Sequence, residues 1–384
     1  MTGRLIAGIA VTVVLAGCAN SPAASPAAPA ALPVNPSPLA HQTYDCAVLE
    51  RAAEPNAAGP LLFLEPFDDG GSGQSRMCSL DWDGKFRRQL ERGLAVRQSA
   101  DGSRLLAIDY PIVNNEPAVY VAIDERNQVL DRLSTIWKSE ALWADDSRRL
   151  CYIQDSNPAG QGGVAYLEEK VPGSEPRRVA TVGGIAYFPA PQPNQGGPMP
   201  APFIAGPHLL ACSVVADRVV VQNPSKGVVS VLRLSDGTEL STYRFGHLFY
   251  PYANLVGFDR LVASRDGRYL AEDIEGARDV PIIDLISGTI AARVPFPMVG
   301  GFSWDATRAV VQFSDQVVEV IDWQSQRVIR RLAGTYPHAW ARPDSGDLLV
   351  GMPSTRHQFG LDLYIVREDG TSFEVARSVE VVGE

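Results

Sequence analysis

Positive charge never gathers in this sequence. Its 384 residues hold 34 Lys and Arg against 44 Asp and Glu, a formal charge of −10, and no basic block. That argues against nucleic acid as a partner, since a phosphate backbone is held by clustered cations. Histidine and cysteine are equally scarce, five of each. The histidines are too scattered to suggest a local metal site, so no metal and no cofactor is expected. Catalytic signatures are missing. Gly70-Gly71-Ser72-Gly73 falls one residue short of a nucleophile elbow, and neither H-E-x-x-H nor a phosphate-loop lysine occurs. Phe67-Asp68-Asp69-Gly70 and Asp81-Trp82-Asp83-Gly84 lack the alternating oxygens and closing glutamate of a calcium loop and read as turns. Long amphipathic helices are absent too; the best helical candidate, Cys46–Ala53, is short. Beyond the first residues no apolar run approaches the roughly 20 residues that cross a bilayer.

What is present begins with a leader. Arg4 precedes an apolar run, Leu5–Ala16, that ends in Leu15-Ala16-Gly17-Cys18. This resembles a bacterial lipobox. The resemblance implies a signal peptide over 1–17, cleavage before Cys18, and acylation of Cys18. The domain would then face the extracytoplasmic side, anchored to the cell membrane or outer membrane. Ala19–Ala40 is nearly all Ala, Pro and Ser and cannot bury enough surface to fold. An extended polyproline conformation at about 3.1 Å per residue gives it a reach of roughly 60–70 Å. The expected organisation is leader 1–17, lipidated cysteine and disordered linker 18–42, and one domain over 43–384. Four cysteines remain in that domain, enough for two disulfides with three possible connectivities. Cys46–Cys78, the closest pair, is favoured, which leaves Cys151–Cys212.

From about residue 60 one phrase recurs. A first tight turn reads SADGSR (99–104), ADDSRR (144–149), SRDGR (264–268), SWDATR (303–308) and RPDSGD (342–347), with a degenerate copy at 214–218. An apolar strand follows each. A second tight turn then divides two further strands, as in VSVLRLSDGTELSTYRF (229–245) and VPIIDLISGTIAARV (280–294). Asp-Gly and Ser-Gly between β-branched runs mark hairpins, because glycine accepts positive φ. Asp266, Asp305 and Asp344 are spaced by about 39 residues, within the period of a propeller blade. The expected fold is therefore all-β, a β-propeller of seven four-stranded blades.

The Ser-x-Asp-Gly turns at Ser99–Gly102 and Ser264–Gly267, with the phrases at Asp236–Gly237 and Asp284–Gly288, resemble those of WD40-like and TolB-type bacterial propellers. The Gly-His and Trp-Asp pairs of strict WD40 blades are missing. The resemblance implies that first and second turns share one face of the ring, and that the remaining connections lie on the other. That second set is longer and richer: 109–118, 155–163, 246–254, 295–300, 334–340 and 353–361, with a Pro/Gly-rich stretch over 185–207. Tyr187, Phe188 and Phe203 would fold that stretch over the ring mouth as a lid. Loops on a rigid scaffold host binding groups. The candidate binding residues are Tyr110, Asp155, Tyr187, Phe188, His247, Tyr250, Tyr252, Tyr336, His338, Trp340 and His357. No catalytic residue is assigned.

Three functions compete. A membrane-anchored binding or scaffold module for an envelope protein, peptide or glycan fits best. A propeller-type hydrolase, lactonase or cyclase would gather its site from loops at the channel mouth. A purely structural envelope part would have no ligand.

Overall fold

A computed structural model describes residues 61–66, 77–90, 94–109, 119–134, 141–156, 163–184, 186–188, 203–245, 259–274, 278–295, 298–312, 317–333, 338–342, 344–354 and 360–383. Cys18, the linker and Cys46–Ala53 lie outside these residues.

The strands follow the repeated phrase. They are β1 (Leu62–Pro66), β2 (Met77–Leu80) and β3 (Phe86–Leu90); β4 (Leu94–Gln98), β5 (Leu105–Asp109), β6 (Val119–Ile123) and β7 (Val129–Ser134); and β8 (Leu142–Trp143), β9 (Leu150–Asp155), β10 (Val164–Lys170) and β11 (Arg177–Gly184). After β12 (Ala186–Phe188) and β13 (Phe203–Ala205) come β14 (His208–Ser213), β15 (Arg218–Asn223), β16 (Val228–Arg233) and β17 (Glu239–Arg244). Then follow β18 (Asp259–Ala263), β19 (Tyr269–Ile274), β20 (Asp279–Asp284) and β21 (Thr289–Pro295), and β22 (Met298–Phe302), β23 (Arg308–Gln312), β24 (Val317–Asp322) and β25 (Arg327–Ala333). The last are β26 (His338–Ala341), β27 (Leu348–Pro353), β28 (Leu361–Val366) and β29 (Ser372–Gly383).

Each group of four forms an up-and-down antiparallel sheet. The first strands of successive sheets touch in turn, β4 to β8, β8 to β14, β14 to β18, β18 to β22 and β22 to β26, and β4 also touches β29. This closes a ring, and the protein is a β-propeller. The expectation of seven separate blades is corrected, however. The described strands make six blade sheets, five of four strands and one of seven, plus the two-stranded ribbon β12–β13. The cause is β29, 12 residues long. Its first part pairs with β28 and its end pairs with β1, Leu64 opposite Val381 and Pro66 opposite Val379. The first and last repeats therefore fuse into one sheet that latches the ring shut.

The core lies between sheets. One apolar cluster joins Ile153 and Leu167 to Leu209, Val219 and Val221 of the next sheet. Another joins Val220 and Val229 to Leu270 and Ile283. A third joins Ala271 and Ile282 to Val311 and Trp323. Sheets stacked this way are covered on both faces, so inner strands read as continuous apolar runs: Val219, Val220 and Val221 are all buried. Outer strands face water, and Glu239–Arg244 alternates exposed and half-buried residues.

Those outer strands are the ring's free edges. Each hairpin leading into one contains a bulge. Val231 pairs with Ser241 and Leu232 with Glu239, which leaves Leu240 as the extra residue. A one-residue insertion also occurs in the hairpins leading into β3, β7, β21 and β25, and the hairpin into β11 has two. A bulge twists an edge away from flat pairing with another chain.

One second turn presses on the neighbouring sheet. Gly237 has φ +75°, and a Cβ there would meet the Val179 carbonyl oxygen at 2.2 Å. Gly288 has φ +69° with nothing within 4 Å. Both pay for a left-handed conformation on substitution, about 1–2 kcal/mol, but the clash belongs to Gly237. Gly237→Ala is expected to lower the urea-unfolding stability at least twice as much as Gly288→Ala. Equal losses would show that this turn does not bear on β11.

Candidate binding face

Antiparallel order puts all first and second turns on one face of the ring, and the remaining connections on the other. The first turns span 99–104, 144–149, 214–217, 264–268, 303–307 and 342–347, and all are tight. In three of them a serine and an aspartate build the turn. Ser264 Oγ donates to Asp266 Oδ1 at 2.6 Å and accepts from Tyr269 N at 2.8 Å, while Asp266 Oδ1 accepts from Arg268 N at 3.1 Å. Ser99 with Asp101 and Ser303 with Asp305 repeat the pattern. Burial alone would push the Asp101 carboxyl up, but bonds from Ser103 N–H and the Ser99, Ser103 and Ser147 hydroxyls outweigh it and hold it below the usual carboxylate value. Asp305 is held down in the same way by Ser303 and Thr307. The Asp81-Trp82-Asp83-Gly84 stretch is such a turn too: Asp81 Oδ1 accepts from Asp83 N at 2.9 Å and Lys85 N at 2.8 Å.

The polar groups of this face are also spent on neighbouring sheets, mostly through arginine. Arg104 Nη1 donates to Arg148 O at 3.2 Å. Asp145 accepts from Ser213 Oγ and from Val214 N, the latter at 2.7 Å. Arg177 donates to Leu234 O at 2.8 Å and Ser235 O at 2.9 Å. Arg218 lies 4.0 Å from Asp266, and Arg308 pairs with Glu368 at 3.0 Å. Arg367 reaches Asp83, tying the two ends of the chain's repeats together. Arg265 spans furthest: it donates to Asp145 O at 3.1 Å, past the intervening turn, and its guanidinium lies 4.7 Å from the Trp304 ring centroid. Burial pulls the Arg265 guanidinium below its ordinary value, against the pull of Asp145 and Asp101.

Toward the opposite face run the ends of β5, β9 and β17. Asp155 ends β9 there, opposite Ala165. Tyr187 and Phe188 form the ribbon with Ile204 and Phe203. His338 begins β26 at this face, but Trp340 belongs to the innermost strand, paired with Leu349, and not to a loop as expected. Hydrogen bonding to β27 draws 338–341 out of the connection. Likewise Pro295 ends β21, and Met298 begins β22. Tyr110, His247, Tyr250, Tyr252, Tyr336 and His357 lie outside the described residues. Among the described residues, no three His, Cys, Asp or Glu side chains meet in a metal-binding arrangement.

Two buried carboxylate pairs escaped the sequence reading. Tyr152 OH donates to Glu168 at 3.0 Å within one sheet. Tyr243 OH donates to Glu272 Oε2 at 3.1 Å between sheets, and Glu272 Oε1 is buried without a partner. Nothing local marks them, since Glu168 is followed by Glu169 and Glu272 by Asp273. Burial, then the Glu272 charge, pushes the Tyr243 phenol from 10.0 up to about 12. Cys151 and Cys212 form a disulfide between neighbouring sheets, Cα atoms 6.4 Å apart. Cys78 is disulfide-bonded as well, to a partner outside the described residues.

No protein-family profile matches this sequence, and no characterised protein resembles it closely enough in sequence to count as a relative. Similar solved structures are propellers. The β-propeller domain of Cps50 (Swd1) from Myceliophteria thermophila shares 10% identity and a TM-score of 0.45, covering 77% of this chain and 93% of that one. TolB from Acinetobacter baumannii shares 12% identity and a TM-score of 0.42, covering 71% and 63%. The assignment as a propeller rests on the strand topology itself.

The raised Tyr243 phenol sets an alkaline limit. Its contribution is complete below the unfolded value near 10 and is lost as pH rises toward about 12, because the unfolded chain ionises first. Urea midpoints are expected to fall across that window, and to fall less in Tyr243→Phe. An identical alkaline fall in both proteins would remove Tyr243 as its source. At the acid end, stability is expected to fall below about pH 4 as Asp101 and Asp305, both depressed, take up protons.

Proposed function

We propose that this chain is an exported propeller, anchored by lipid at Cys18 and tethered through the Ala/Pro linker. In this reading it binds an envelope protein, peptide or glycan through the face that carries the long connections. One observation carries the choice of face. The polar side chains of the short-turn face are largely consumed in bonds within turns and between neighbouring sheets, which leaves the opposite face as the one free to vary around a rigid ring. Asp155, Tyr187, Phe188 and His338 are the described candidates there; Tyr110, His247, Tyr250, Tyr252, Tyr336 and His357 belong to the same proposal. The Cys151–Cys212 disulfide supports an oxidising, extracytoplasmic compartment. An apolar run ending at Leu15-Ala16-Gly17-Cys18 supports the anchor.

The test uses the full acylated chain as bait in envelope extracts, with any captured ligand then titrated against purified variants. Tyr187→Ala with Phe188→Ala, and His338→Ala, are expected to weaken binding at least tenfold. Asp236→Asn, on the exposed short-turn side, is expected to leave it unchanged. A ligand lost with Asp236→Asn and indifferent to the other substitutions would assign the function to the wrong face. Recovery of Cys18→Ala protein in the soluble fraction is the expected sign of the anchor.

A further inference from the structure

The chain joins the ring at a definite face. Leu61, the residue before β1, is clasped by Gln98, whose Oε1 accepts from Leu61 N at 2.7 Å and whose Nε2 donates to Leu61 O at 3.0 Å. Gln98 is the last residue of β4, immediately before the 99–104 turn, so Leu61 sits on the short-turn side. The β1–β2 register agrees, with Leu62 opposite Leu80, the residue before the Asp81–Gly84 turn. The described chain therefore enters the ring at the short-turn face and not at the opposite one.

That face also carries side chains with no role in the ring. Val215, in the β14–β15 turn, is 85% exposed. Val171 and Ile286 occupy second turns at 47% and 46%, and Ile290 beside the latter is 52% exposed. The three turns belong to three consecutive sheets, and first turns lie near the ring's axis while second turns lie at its rim. The aliphatic groups are thus spread over one side of the ring.

We propose that the short-turn face is the membrane-facing side of the anchored protein, with its aliphatic turn tips touching the lipid surface. This rests on the lipid anchor of the preceding reading. Aliphatic side chains on turns favour a lipid interface over water, and an anchor holds the face at high effective concentration near the membrane, so weak contacts suffice. The linker's reach lets the ring lift off and settle again, always with the long connections directed outward.

The experiment reconstitutes the full acylated chain in vesicles of phosphatidylethanolamine and phosphatidylglycerol. A fluorescent amino acid replaces Val215, Ile286 or, on the opposite face, Val164 in separate proteins. Quenching by headgroup-proximal spin-labelled lipid is expected to be at least twofold stronger at 215 and 286 than at 164. Equal or reversed quenching in vesicles that carry the protein overturns the orientation and leaves the anchor standing. A chain without an acyl group on Cys18, which fails to float with the vesicles, overturns the anchor and this inference together. Far-ultraviolet circular dichroism of each labelled protein confirms that the ring is intact.

Discussion

The four-stranded sheets of this ring share their apolar clusters with neighbours, and the two halves of the seven-stranded sheet pack against each other. Apolar clusters span neighbouring sheets: Leu167 shares one with Val219 of the next sheet, Val229 with Leu270, and Ile282 with Val311. A four-stranded sheet in isolation would leave both of these surfaces in water, so burial is available only to neighbours, and the last neighbour must meet the first. The latch formed by β29 is the direct result. One strand hydrogen-bonds to the first and last repeats at once, so the terminal edges that an open array would expose are paired.

The same constraint explains the uneven treatment of the two faces. Tight turns keep the sheets in phase, and the charges they carry are spent on holding neighbours in place. Surface ion pairs contribute little singly, but here the acceptors are frequently backbone carbonyls, as with Arg104 on Arg148 and Arg177 on Leu234. Guanidinium groups that reach a neighbouring turn fix the angle between sheets as well as adding attraction. A face occupied in this way has little freedom to change, whereas longer connections on the far side can vary without disturbing the seams. Function is therefore most naturally read on the far side, and attachment on the near one, where the chain arrives at Leu61.

Much of the architecture was legible before any coordinates. Ser264 and Asp266, or Ser303 and Asp305, announce their turn because the bonds they make lie within five residues. Asp-Gly and Ser-Gly announce hairpins because glycine alone adopts their backbone at no cost. The candidate site was less legible. Trp340 looked like a loop residue because its neighbours are Gly, Pro and His, yet pairing with Leu349 draws it into the innermost strand. Arg265 looked like an incidental residue within a turn, and its contact with Asp145 exists because two turns separated by another meet near the axis.

The sequence by itself determined most of the strands, which turns are tight, and which strands lie inside, since these follow from alternation, β-branching and bonds within a few residues. Tertiary structure alone decided that the terminal repeats share one sheet, that Glu272 is buried under Tyr243, and that the chain reaches the ring on the short-turn side. Each of those depends on the angle between stacked sheets and on where the ring closes. That geometry is set by the packing of all the sheets together and is written in no single segment.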